Sequence, residues 1–127
     1  MYVNNNVLSL VIKSTLKEGS TAQRVIIQTY NYDLENDKIM SLEDIIEIKG
    51  LEEDFVQNKI NQEIEEIIKE KKAISTDEYN LFKRIKGDKM YEIENTANFF
   101  LGNDNYLYVI YAYGNSNFTS EMDIVIF

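Results

Sequence analysis

The chain contains no cysteine, histidine, proline or tryptophan. Without cysteine there is no disulfide, no thiolate nucleophile and no thiolate metal site, and cysteine usage says nothing about redox compartment. Without histidine the commonest general base near neutral pH is missing, together with the imidazole ligand of catalytic zinc. Serine–histidine and cysteine–histidine mechanisms are thereby excluded. The lack of proline removes proline-rich linkers, and the lack of tryptophan removes the strongest sugar-stacking side chain. Glycine is sparse and isolated, at Gly19, Gly50, Gly87, Gly102 and Gly114, so there is no phosphate-cradling loop and no support for nucleotide binding. Long apolar runs are missing too. The N-terminal stretch MYVNNNVLSLVIKS has neither a basic leader region nor an apolar span, so no signal peptide or membrane insertion is expected from this segment. For an exported protein, the export signal or anchor is expected upstream.

What is present is a globular composition. Over 127 residues the hydrophobic share is 44%, and the charged residues are spread rather than blocked, which predicts a single folded domain over residues 1–127. Acidic residues outnumber basic ones by 22 to 13, and the net charge of −9 repels polyanions, which makes nucleic acid a poor partner. The same field attracts a cationic protein, peptide or metal ion, and it also serves plain solubility.

The segment VLSLVIKST from Val7 to Thr15 is β-branched and aliphatic, with Leu8, Leu10 and Ile12 on one side at period two, and predicts a strand. A polar connection through Lys17, Glu18, Gly19, Ser20 and Thr21 leads to a second strand from Arg24 to Leu34, as an antiparallel hairpin. Asn36 and Asp37 supply a turn. Ser41, followed by Asp44, marks a helix start, and Gly50 suits the left-handed position past its end. A longer helix is predicted from about Leu51 to Lys72, where Val56, Ile60, Ile64 and Ile67 or Ile68 recur at helical spacing. Acids lie at its start and lysines near its end. Ser75 and Glu78 form a capping box ahead of a third, short helix. The runs MYEIE, NFFL, NYLYVIYAY and MDIVIF then predict three or four strands. Strands, then helices, then strands argue for an α+β fold: an antiparallel or mixed sheet with one long and one or two short helices packed on one face.

Asp33, Glu35, Asp37, Ser41 and Asp44 approximate the spacing of a calcium-binding loop, but Lys38 stands where the sharp turn needs glycine and Asp44 where a longer glutamate is needed. A solvated turn followed by a helix cap accounts for the same residues, and no metal is expected. The acid pairs Glu52–Glu53 and Glu65–Glu66 point about 100° apart on a helix and do not converge on a scissile bond. No catalytic residue and no cofactor are therefore expected. Tyr106, Tyr108, Tyr111 and Tyr113 alternate along a strand, so that one pair either packs the core or lines a surface. The candidate partner-binding residues are Tyr111, Tyr113, Asn115 and Asn117, in the last hairpin, where loops border aromatic strands.

The run YNYDLENDKIMSLEDII from Tyr30, with the helix after it and the tail FFLGNDNYLYVIYAYGNSNFTSEMDIVIF from Phe99, resembles a domain family of unknown function. That family is named for the C-terminal region of the lysozyme-sensing anti-sigma factor RsiV. It is also found in PdaC-like cell-wall proteins, and the tail is closest to clostridial forms. Members often carry a Gly-Gly-Ala-His-Gly stretch in the first hairpin, where this chain has Lys17 to Ala22. The resemblance implies an extracytoplasmic, non-catalytic binding or sensor domain of Gram-positive bacteria. Its implied partner is a basic cell-wall-active protein such as lysozyme, or a cell-wall glycan or peptide. The alternative expectation is an accessory domain that supports a neighbouring module.

Overall fold

The two phases of the first long strand differ: Leu8, Leu10, Ile12 and Leu16 make one mainly apolar, while Ser9, Lys13, Thr15 and Lys17 share the other with Val7 and Val11, and the layer packed against the sheet decides which side faces inward. The computed structural model describes residues 1–4, 6–19, 21–74 and 81–127. Strand β1 (Tyr2–Asn4), β2 (Val7–Glu18), β3 (Thr21–Asp33) and β4 (Lys38–Ile39) form a four-stranded antiparallel sheet in the order β1-β2-β3-β4. The predicted hairpin is present, and its strands run further toward Gly19 than the polar connection implied. Asp37 takes the left-handed conformation in the turn before β4.

Helix α1 (Leu42–Ile48) starts at Ser41, whose hydroxyl accepts from the Asp44 N–H while the Asp44 carboxylate accepts from the Ser41 N–H. It ends at Gly50 (φ +69°), where the N–H groups of Gly50 and Leu51 bond back to Glu47 and Ile46, a Schellman closure. Helix α2 (Glu53–Ile74) follows and buries Val56, Ile60 and Ile64, with Ile67 and Ile68 half-buried beside them. The proposed capping box at Ser75 and Glu78 lies outside the described residues, while Leu81 and Phe82 are not helical.

The run MYEIE is not a strand. It folds as two turns of 3-10 helix, Lys89–Tyr91 and Ile93–Asn95, the first capped by the Asp88 carboxylate on the Met90 N–H. Tyr91 and Ile93 both point inward, which produced the strand-like alternation. Their backbone is paired instead by one side chain of α2: Gln57 donates to the Tyr91 carbonyl and accepts from the Ile93 N–H, both at 2.9 Å. Strands β5 (Asn98–Leu101), β6 (Leu107–Ala112) and β7 (Met122–Ile126) then form a second antiparallel sheet in that order.

The result is an α+β architecture with two antiparallel sheets rather than one. The helices cover one face of the second sheet, where Phe99, Leu101, Leu107, Val109, Tyr111 and Val125 meet Ile45, Ile46, Val56 and Ile60. Its other face meets the first sheet through Ile110 and Ala112 against Val25 and Ile27. A polar seam joins the sheets. The outer edge of β5 has no strand beside it, and Phe99 N–H, Phe99 C=O and Leu101 N–H bond to Thr29, Asn31 and Ser9 of the first sheet. Side chains thus satisfy backbone groups that would otherwise be buried unpaired.

Candidate functional site

The last hairpin brings Tyr111, Tyr113, Asn115 and Asn117 together, with the two tyrosines buried and the two asparagines exposed. Tyr111 is buried against Tyr91, edge to face at 5.0 Å, and its hydroxyl lies 3.2 Å from that of Thr96. Burial pushes its phenol up to about 12. Tyr113, 1% exposed, stacks on Phe82 at 4.2 Å and donates to Asp123 at 2.5 Å. Burial first, then the bond to Asp123, drives its phenol far above the ordinary range. Asn115 bonds the backbone of Ile27, and Asn117 donates to Ser116 Oγ at 3.0 Å. The two tyrosines therefore pack the core and offer no contact surface: Tyr111 lies on the helix-facing side of β6, and Tyr113, which opens a 3-10 turn after that strand, is covered by Phe82 and Arg84. What this hairpin presents to solvent is Asn115, Ser116 and Asn117 together with Phe118, 85% exposed, which has the Arg24 guanidinium 5.9 Å from its ring centre. An isolated aromatic inside the polar run GNSNFTSE was the available signal.

Behind Tyr113 lies a buried charged cluster. Arg84 holds Asp123 with two bonds, 2.6 and 3.1 Å, and Glu121 at 3.1 Å, while the Tyr91 hydroxyl sits 2.8 Å from that of Tyr113. No buried side-chain N or O among the described residues lacks a partner. The two carboxylates that converge here are both hydrogen-bonded to Arg84, and they clamp the 81–84 segment against the start of β7. Such an arrangement leaves neither carboxylate free for proton transfer.

The calcium-like spacing resolves into a turn and a cap. Asp33 accepts from the Glu35 and Asn36 N–H groups and from the Asn36 side chain, and those bonds hold its carboxyl below the usual range. The Ser41 N–H does the same for Asp44. Among the described residues no group of three or more potential ligands converges on a metal position.

Two surfaces remain. On the helical layer, Glu43 of α1, Glu53 and Asp54 of α2, and Glu92 and Glu94 of the 3-10 turns line a depression of about 250 Å³. None of the five forms an ion pair among the described residues. In the sequence only Glu53 and Asp54 stand out, at a helix start, while Glu92 and Glu94 lie in the run expected to be a strand; the packing of the 3-10 turns on α1 and α2 unites the five. On the far layer, the outward phase of the first sheet is apolar. Leu8, Leu10, Ile12 and Leu16 of β2 stand beside Ile26, Tyr30 and Tyr32 of β3, with Val3 and Ile39 extending the face onto the edge strands. Tyr30 is 57% and Ile39 82% exposed. The Leu8, Leu10, Ile12 row is thus the solvent side, while Val7, Ser9 and Val11 face inward.

No helix among the described residues is long and apolar enough to cross a membrane. No family model, curated protein or solved structure matches the chain.

Proposed function

We propose that this chain is a non-catalytic, extracytoplasmic binding module that recognises a cationic protein, with a cell-wall-active enzyme such as lysozyme as the partner implied by the resemblance described above. The acidic depression on the helical layer carries the reading: five carboxylates from three segments share one surface without an opposing cation. In a chain of net charge −9, that surface concentrates a field that speeds the approach of a basic partner and orients it. The buried Arg84 cluster supports the non-catalytic part, since both of its carboxylates are engaged by the guanidinium.

The test is biolayer interferometry against lysozyme at two salt concentrations, with a basic protein of unrelated fold as control. Selective binding that weakens with salt is expected, and the triple variant Glu53→Lys, Asp54→Lys, Glu94→Lys is expected to lose at least ten-fold in affinity. Absent binding, or binding equal to that of the control protein, overturns the reading.

The exposed apolar face of the first sheet favours a second reading, an accessory domain that docks a neighbouring module. It predicts that the isolated domain binds a fluorescent apolar dye on that face and that the dye is excluded in the longer protein.

A further inference from the structure

We infer that the outward face of the β1-β2-β3-β4 sheet is a self-association surface, and that a second copy of this chain covers it, sheet against sheet, in a two-fold dimer. The face is made by Leu8, Leu10, Ile12 and Leu16 on β2 and Ile26, Tyr30 and Tyr32 on β3.

Charge decides the occupant. From Leu8 to Leu16 and from Arg24 to Tyr32 the outward positions carry no carboxylate, and their one cation, Arg24, is bonded to the carbonyls of Gly114 and Asn115. The whole hairpin from Val7 to Asp33 holds three cations (Lys13, Lys17, Arg24) against two acids (Glu18, Asp33), so the net negative charge of the molecule resides elsewhere. Two copies of a strongly acidic chain repel through most of their surfaces; through this one they meet with no acid facing an acid. A cationic partner gains little from the same face, whose bordering carboxylate, Asp37, already takes the Tyr32 hydroxyl at the turn end, away from the Leu10 and Ile12 rows.

Area is sufficient. Nine apolar side chains, including Val3 and Ile39 and mostly near half exposed, offer on the order of 700 Å² per copy, close to the ~800 Å² per partner of a standard specific interface. The rows are also self-complementary. Leu10 lies directly beside Tyr30, and Leu8 beside Tyr32. A two-fold axis running along the hairpin between β2 and β3 sets the aliphatic row of one copy over the aromatic row of the other, which gives aligned sheet packing.

The competing route is the open edge of β2. The Val25, Ile27 and Thr29 N–H groups bond away from β2, so their partners Thr15, Lys13 and Val11 aim their backbone groups outward, past the end of β1. Lys13 and Lys17 stand on that edge, and two such edges meeting antiparallel bring lysines together, which opposes pairing.

Sedimentation velocity from about 1 to 200 µM tests the inference. The expected result is a concentration-dependent species of twice the chain mass. Leu10→Glu and Tyr30→Glu, both at exposed positions, are expected to raise its dissociation constant at least ten-fold while far-UV circular dichroism stays unchanged. Glu53→Lys on the helical layer is expected to leave the dimer intact. A monomer throughout the range overturns the proposal, and so does a dimer indifferent to both sheet variants. The outcome is separable from lysozyme binding, since the two surfaces lie on different layers.

Discussion

The carboxamide of Asn115 lies against the backbone of Ile27, donating from Nδ2 to its carbonyl at 2.8 Å and accepting from its N–H at 2.9 Å. This two-point contact occupies the position a neighbouring strand would take along β3, whose own partner β4 reaches only Tyr32 and Asp33. Asn98 accepts from the Thr29 N–H one step further along, and the Thr119 carbonyl accepts from that of Val25. A row of groups from β5 and the β6–β7 hairpin thus replaces a strand along the middle of β3. Asn115 is a structural clamp.

Asn115→Ala leaves the Ile27 N–H without a protein partner, at an expected cost of about 1–3 kcal/mol in urea unfolding. Gly114→Ala is expected to destabilise as well, because a Cβ there runs into the Val25 carbonyl oxygen. Unchanged midpoints in both variants remove the clamp role.

Arg84→Met strands two acids, with Asp123 inside the protein, and is expected to destabilise by about 3–5 kcal/mol. Adding Asp123→Leu to Arg84→Met is expected to recover part of that loss, since the uncompensated charge is gone. A double-mutant cycle by chemical denaturation measures the coupling, and additive losses argue against a cooperative cluster.

The lowered carboxyls of Asp33 and Asp44 bind fewer protons folded than unfolded at acid pH. Their contribution is therefore fully present above the ordinary carboxylate value near ~3.9 and is lost as pH falls through the folded values below it. Urea midpoints measured from pH 6 to pH 2.5 are expected to fall less steeply in Asp33→Asn and Asp44→Asn, which cannot gain that proton.

At the alkaline end the sign reverses. Tyr111, raised to about 12, stays protonated in the fold while an unfolded phenol ionises near ~10, so stability falls as pH rises between those values. Absorbance of phenolate against pH is expected to rise in more than one step. Tyr91, Tyr111 and Tyr113 follow only with loss of the far-UV signal. A single transition near ~10 with the fold intact contradicts the buried assignment.

Local signals survive folding because they act over a few residues. Ser41 with Asp44, Gly50, and the Val56, Ile60, Ile64 stripe each specify a cap, a stop or a face through contacts within one or two turns, and each is found where the sequence puts it. The MYEIE run fails for the complementary reason: alternation of Tyr91 and Ile93 is shared by a strand and by successive 3-10 turns, and Gln57, more than thirty residues away, selects between them. The tyrosines of β6 were legible as a two-sided pattern, but not which side met the helices.

By itself, then, the sequence determined the α+β class, the hairpin, the capped first helix and the long second one, the acidity of the whole and the chemistries that missing residue types forbid. Those properties are additive or local, so no distant contact alters them. Tertiary structure alone decided that two sheets form rather than one, because carboxamides and hydroxyls of Asn31, Asn98, Asn115, Ser9 and Thr29 bond the strand edges where the sheets meet. It also decided that Tyr111 and Tyr113 turn inward while Leu10 and Tyr30 turn outward: the more apolar row of β2 is the outward one, because the second sheet packs on the side that carries Val7, Ser9 and Val11.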